Sequence, residues 1–138
     1  LKDITAFDFT TAEYPKVAYD DFVLDALRSM VESQRDYAMV VEEGDIVGVL
    51  EQSEVVFAYG RGELNSETRV AQMARDLPWI DADATFDDVV QFMATLDIYQ
   101  VCIENTVLDD FTLLRAIWSE MLAMAREFRE YETPEVAP

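Results

Sequence analysis

The chain repeats itself at an offset of 63 residues, the spacing between Pro15 and Pro78. Tyr14-Pro15-Lys16-Val17-Ala18-Tyr19-Asp20 lies over Leu77-Pro78-Trp79-Ile80-Asp81-Ala82-Asp83, so that Val17 meets Ile80 and Asp20 meets Asp83. The same offset carries Val23 onto Phe86, Asp25 onto Asp88, Leu27 onto Val90 and Met30 onto Met93. Carried backward, it sets Thr5 over Thr68 and Phe7 over Val70. Type-matched positions that stay in register across a helix start point to a duplicated structural unit. Two such units in 138 residues make one module of two related halves.

Each unit reads alike. Pro15 and Pro78 bias their neighbours to extended backbone and block helix continuation. A helix follows in each, with Asp20 and Thr85 as expected N-caps. Its apolar stripe is Phe22, Val23, Ala26, Leu27, Met30 and Val31 in the first unit. In the second it is Phe86, Val89, Val90, Phe92, Met93 and Leu96. Tyr37 to Val41 and Ile46 to Leu50 then form a hairpin around Glu43-Gly44-Asp45, and a second helix runs from Ser53 to Tyr59. The second unit matches with Tyr99 to Ile103, followed by a short return strand near Thr106 to Asp110 that lacks the glycines.

A long amphipathic helix closes the pattern, with Phe111, Leu114, Trp118, Met121, Ala125 and Phe128 along one stripe and Ile117, Leu122 and Met124 widening it. Such a face must bury against something, either the rest of the module or another molecule. The six methionines read as core. The domain reading is a first unit over 1–62, a second over 63–131 and a polar tail or linker over 132–138.

Lys plus Arg number 10 and Asp plus Glu 29, a net charge of −19. That charge repels phosphate backbones and anionic membranes, so nucleic-acid polymers are not expected partners. No apolar run is long enough for membrane insertion, and a lone cysteine, Cys102, suits a reducing, cytoplasmic setting. The absence of histidine removes the commonest general base and zinc ligand. No catalytic residue and no metal site is therefore assigned. The pairs Asp20-Asp21, Asp87-Asp88 and Asp109-Asp110 read as solvated acids, two of them at helix starts, ahead of a cation site.

The order lead, helix, hairpin, helix, occurring twice, resembles a tandem pair of CBS domains, or Bateman module. The residues carrying the resemblance are Asp20, Asp25-Ala26-Leu27 with Met30, Met39-Val40-Val41, and Gly44 through Leu50. The second unit contributes Val70, Met73, Asp83, Val89 and Met93. The resemblance implies an α/β fold of two βαββα CBS units packed sheet to sheet with pseudo-two-fold symmetry, here with a long C-terminal helix. It also implies a non-catalytic regulatory domain that forms homodimers, works with an attached or associated effector protein, and holds adenosine-type small ligands in the inter-unit clefts. The alternative is a ligand-free dimerisation or protein-interaction module.

Clefts of that family use a Thr or Ser at the end of the return strand and an Asp three residues later. The hydroxyl bonds phosphate or ribose, and the carboxylate accepts from ribose hydroxyls. The first unit offers Glu51 and Glu54 there, after Val49. Glu54 keeps an acceptor, whereas the charge of Glu51 opposes a phosphate. The second unit aligns Thr112 and Arg115, the latter either a phosphate contact or a solvent-facing helix residue. By the resemblance, Thr68, Met73, Ile98 and Tyr99 complete the first cleft, and Thr5, Asp36, Tyr37 and Ala38 the second. No cofactor is expected beyond an adenosine nucleotide as regulatory ligand.

Overall fold

The computed structural model describes residues 13–132, with side chains as far as 128. Thr5 and residues 133–138 of the expected tail lie outside the described residues. The first unit opens with β1 (Lys16–Ala18), α1 (Val23–Ser33), the hairpin β2 (Tyr37–Glu42) and β3 (Asp45–Glu51), and α2 (Gln52–Gly60). A connecting segment with a short 3-10 turn (Val70–Gln72) leads into β4 (Arg75–Asp76). The second unit follows with α3 (Phe86–Leu96), the hairpin β5 (Gln100–Ile103) and β6 (Thr106–Asp109), and α4 (Asp110–Glu132).

The repeat extends to several backbone details. Lys16 pairs in parallel with Met39, and 63 residues on Trp79 bridges Cys102 in the same sense. Both first helices end on a left-handed residue, Gln34 and Asp97, each at φ 55°. Both hairpins turn through two consecutive positive-φ residues, Glu43-Gly44 and Glu104-Asn105, the backbone that matches strand twist in a two-residue connection. Asn105 tolerates this conformation and replaces the missing glycine. Its side-chain oxygen accepts from the Ile46 N–H at 2.7 Å and its amide donates to the Gly44 carbonyl at 3.1 Å, tying one turn to the other.

Thr85 caps α3 as expected, accepting from the Asp88 N–H at 3.1 Å in a reciprocal capping box. Asp20 does not cap α1. That N-cap is Phe22, without a side-chain bond, and the neighbouring Asp21 instead accepts from the Ala18 N–H at 3.0 Å. The helix therefore begins two residues later than a cap at Asp20 would place it.

Three apolar clusters result. One lies under α1 and α2 (Val23, Ala26, Met30, Val40, Leu50), another under α3 and α4 (Phe86, Val89, Met93, Leu108, Leu113). A third joins the hairpins of both units through Tyr37, Met39, Ile46, Val49, Leu77, Cys102 and Val107. The strands are therefore apolar on both faces, one against their own helices and one against the other unit. Residues 64–74 pack on the first unit: Val70 joins its core, and the Val23 N–H donates to the Thr68 carbonyl at 2.8 Å.

The closing helix departs from expectation. Its buried residues are Thr112, Leu113 and Ala116, while Phe111, Leu114, Trp118, Met121, Met124 and Phe128 are all more than half exposed. The stripe read as inward-facing therefore faces solvent in the single chain, and Met121 and Met124 are not core. Only the first turns of α4 meet the hairpin beneath them, and the helix then outruns its own unit.

Candidate functional site

Strand alternation and the ladder register decide what the clefts contain. Tyr37 pairs with Glu51 in the first hairpin, and Gln100 pairs with Asp109 in the second. Gln100 is the repeat mate of Tyr37, so Asp109 occupies the place of Glu51. Thr112, three residues later, occupies the place of Glu54. The alignment of Thr112 with Glu51 and of Arg115 with Glu54 is thus corrected by three residues, because the second hairpin has shorter strands and no bulge. Arg115 lies three residues further along the helix and is exposed.

In the first cleft, Glu51 ends β3 and Arg75 comes from β4, which pairs antiparallel with β3 so that Arg75 is opposite Val49. Residues opposite and two apart share a sheet face, which brings Arg75 to Glu51. The Arg75 guanidinium donates through Nη2 to Glu51 Oε1 and, at 2.7 Å, to Gln100 Oε1. Gln100 Nε2 reaches Glu51 Oε2 at 3.5 Å. Arg75 Nε is buried without a hydrogen-bond partner. Gly48 permits the close approach, since a Cβ there would collide with the Arg75 carbonyl oxygen.

A polar cavity of about 310 Å³ is lined by Glu54 and Ala58 of α2, Arg61 and Glu63 of the connection, and Thr68, Gln72 and Met73. The structure therefore brings Glu54, Thr68 and Met73 together. It does not bring Ile98 and Tyr99 to them. Those two line the groove between α3 and α4 with Asp36, Asp110 and Phe111. Val49 and Ala38 are fully buried and support the clefts from beneath.

At the second cleft the described residues engage one another. Tyr37 Oη donates to Asp109 Oδ2 at 3.0 Å, and both residues are buried. Asp109 Oδ1 accepts from the Thr112 N–H at 2.9 Å and from its hydroxyl at 2.8 Å, capping α4. Tyr14 stacks on Tyr37 with ring centroids 4.0 Å apart, and Arg35 lies over Tyr14 at 4.9 Å. Burial, with the Asp109 charge second, pushes the Tyr14 hydroxyl up to about 12. The same causes raise Tyr37 further. The tyrosines pack here, and the Thr112 hydroxyl is engaged.

Arg75, Gln100, Tyr14 and Asp109 were not among the candidate site residues, and Asp109, read as a solvated acid, is buried. Asp109 and Gln100 could be found by counting the ladder outward from the Glu104-Asn105 turn. Arg75 carries a weaker signal, a cation in an acidic chain just before the second lead. Nucleophilic chemistry finds no support: Cys102 is buried and its thiol is pushed up by burial. Among the described residues no group of acids, cysteines or histidines is arranged to hold a metal ion, and no helix is long and apolar enough to cross a membrane.

Residues 2–61 match the CBS domain family. The whole arrangement also superposes on solved CBS-type structures. The chain folds as a tandem CBS pair. Among similar structures is an uncharacterised conserved protein from Pyrococcus horikoshii, 20% identical, covering 84% of this chain and 93% of its own, with a TM-score of 0.72. The CBS domain of the bacterial CNNM/CorC family Mg2+ transporter in complex with ATP is 12% identical, covers 82% of this chain and 86% of its own, and has a TM-score of 0.71. CBSX2 in complex with AMP is 16% identical, with coverage of 86% and 98% and a TM-score of 0.71. At these identities the likeness is one of fold. No curated protein sequence matches the chain. In this CBS pair the family match ends with the first unit, and the second unit is related to it through the repeat and the fold.

Proposed function

We propose that this CBS pair is a non-catalytic regulatory module that senses a small adenosine-type ligand in its first cleft. The observation that carries the reading is the cavity joining Glu54 to Thr68 and Met73. The exposed Glu54 carboxylate can accept from two neighbouring hydroxyls, as a ribose presents. Met73 offers a soft apolar wall for a flat base. Complexes of similar folds with ATP and AMP lend support. At the second cleft Tyr14 and Tyr37 stack on each other and Tyr37 is bonded to Asp109, which favours a structural role there.

Calorimetric titration with adenosine, AMP, ADP, ATP and S-adenosylmethionine tests this. At least one should bind, and Glu54→Ala should weaken it about tenfold, the worth of a charge-assisted hydrogen bond. Silence from all five at millimolar concentration sinks the ligand reading.

A second reading, a homodimerisation or effector-docking platform, is favoured by a separate observation. Phe111, Leu114, Trp118 and Met121 of α4 and Val31, Val56 and Tyr59 of α1 and α2 are large, apolar and exposed. Apolar exposure on this scale is uncommon on a monomer. The two readings are compatible, because the helix faces and the first cleft are different surfaces.

A further inference from the structure

The geometry points to Arg75 as an anion-recognition group of the first cleft, held closed by Glu51, so that an anionic ligand gains its contact only by displacing the Glu51 carboxylate. This deepens the ligand reading above, on which it rests for its location. Three observations carry it. Arg75 spends Nη2 on Glu51 and Gln100, while its buried Nε has no partner. A guanidinium offers five donors, and displacing Glu51 frees the Nη2 donor for an incoming oxyanion. The Glu51 and Arg75 side chains are 17% and 33% exposed, so the pair is shielded yet reachable. And Gly48, with the β3–β4 pairing, holds the Arg75 backbone in place whether or not Glu51 is engaged.

The charge balance defines the selectivity. With Glu51 in place the pair is neutral, and the net charge of −19 disfavours an approaching anion. Without that carboxylate the same spot carries one uncompensated positive charge. The ligand class is a small molecule bearing a phosphate or carboxylate, and Glu51 sets how much that group adds to affinity.

Inorganic phosphate is the probe, read by thermal denaturation against chloride at equal ionic strength. Wild type, Glu51→Gln and Glu51→Gln/Arg75→Met are compared. Glu51→Gln should bind phosphate about tenfold more tightly than wild type, and the double variant should lose that gain. Equal responses in all three proteins, or a gain that survives Arg75→Met, would overturn the proposal and leave the pair a purely structural latch. If Glu51→Gln does not fold, Glu51→Ser serves in its place with the same expectations. Calorimetry with adenosine and AMP on the same proteins separates the two readings. Adenosine bound with identical phosphate responses retires the Glu51 gate alone. Silence of both nucleosidic ligands with a phosphate gain in Glu51→Gln retires the adenosine reading alone.

Discussion

At the scale of single residues, the Tyr37–Asp109 bond is a buried contact between the units. It joins the start of β2 to the cap of α4, and neither group has water to fall back on. Tyr37→Phe removes the donor and keeps the ring, leaving Asp109 Oδ2 short of a partner; unfolding in urea should show a loss of about 1–3 kcal/mol. The tyrosines also predict an alkaline limit. Their folded pKa values are raised, by burial first and by Asp109 second, above the ordinary value of about 10. The folded state therefore binds these protons more tightly than the unfolded one. Their contribution is complete below pH 10 or so and is lost as the pH climbs toward and past the Tyr14 value of about 12. Phenolate absorbance should show two tyrosines titrating late and together with unfolding; ordinary titration of all six in the folded protein would contradict this.

At the scale of elements, β4 does more than its two residues suggest. It carries the lead of the second unit onto the edge of the first sheet and delivers Arg75 to Glu51. Gly48 makes this possible through the absence of a side chain. Gly48→Ala must push β4 away or bend β3, at a cost of about 1–3 kcal/mol typical of overpacking. Circular dichroism melts should show the loss, and hydrogen exchange should localise it to the amides of residues 75–76. A melt unchanged from wild type would mean the strands part without penalty. Element order was legible in the sequence because prolines, turn residues and apolar periods act locally. The site positions Thr112 and Arg115 were misaligned by three residues because strand length depends on the partner strand, and Glu104-Asn105 turns as tightly as Glu43-Gly44 without a glycine.

At the scale of the whole molecule, the exposed stripe of α4 is a surface awaiting a counterpart. If a second copy covers it, light scattering should report a dimer, and Trp118→Glu should shift it to monomer by placing a charge where apolar contact is needed. A wild type that is monomeric across a wide concentration range would rule this out. The repeat, the two helix-hairpin-helix units and the lack of histidine-based chemistry were all determined by the sequence alone. They follow from residue type and from spacing along the chain, which folding does not alter. Which side chains meet was decided only by the tertiary structure. Glu51, read in isolation as a charge opposing phosphate, proves to be neutralised by Arg75 and buttressed by Gln100. Tyr37, read as a ligand contact, is committed to Asp109 across the units. The α4 stripe, read as burying against either the module or another molecule, is left exposed by the other described residues. Each outcome depends on how two halves 63 residues apart pack face to face, and a pairing across that interface leaves no local mark on the sequence of either half.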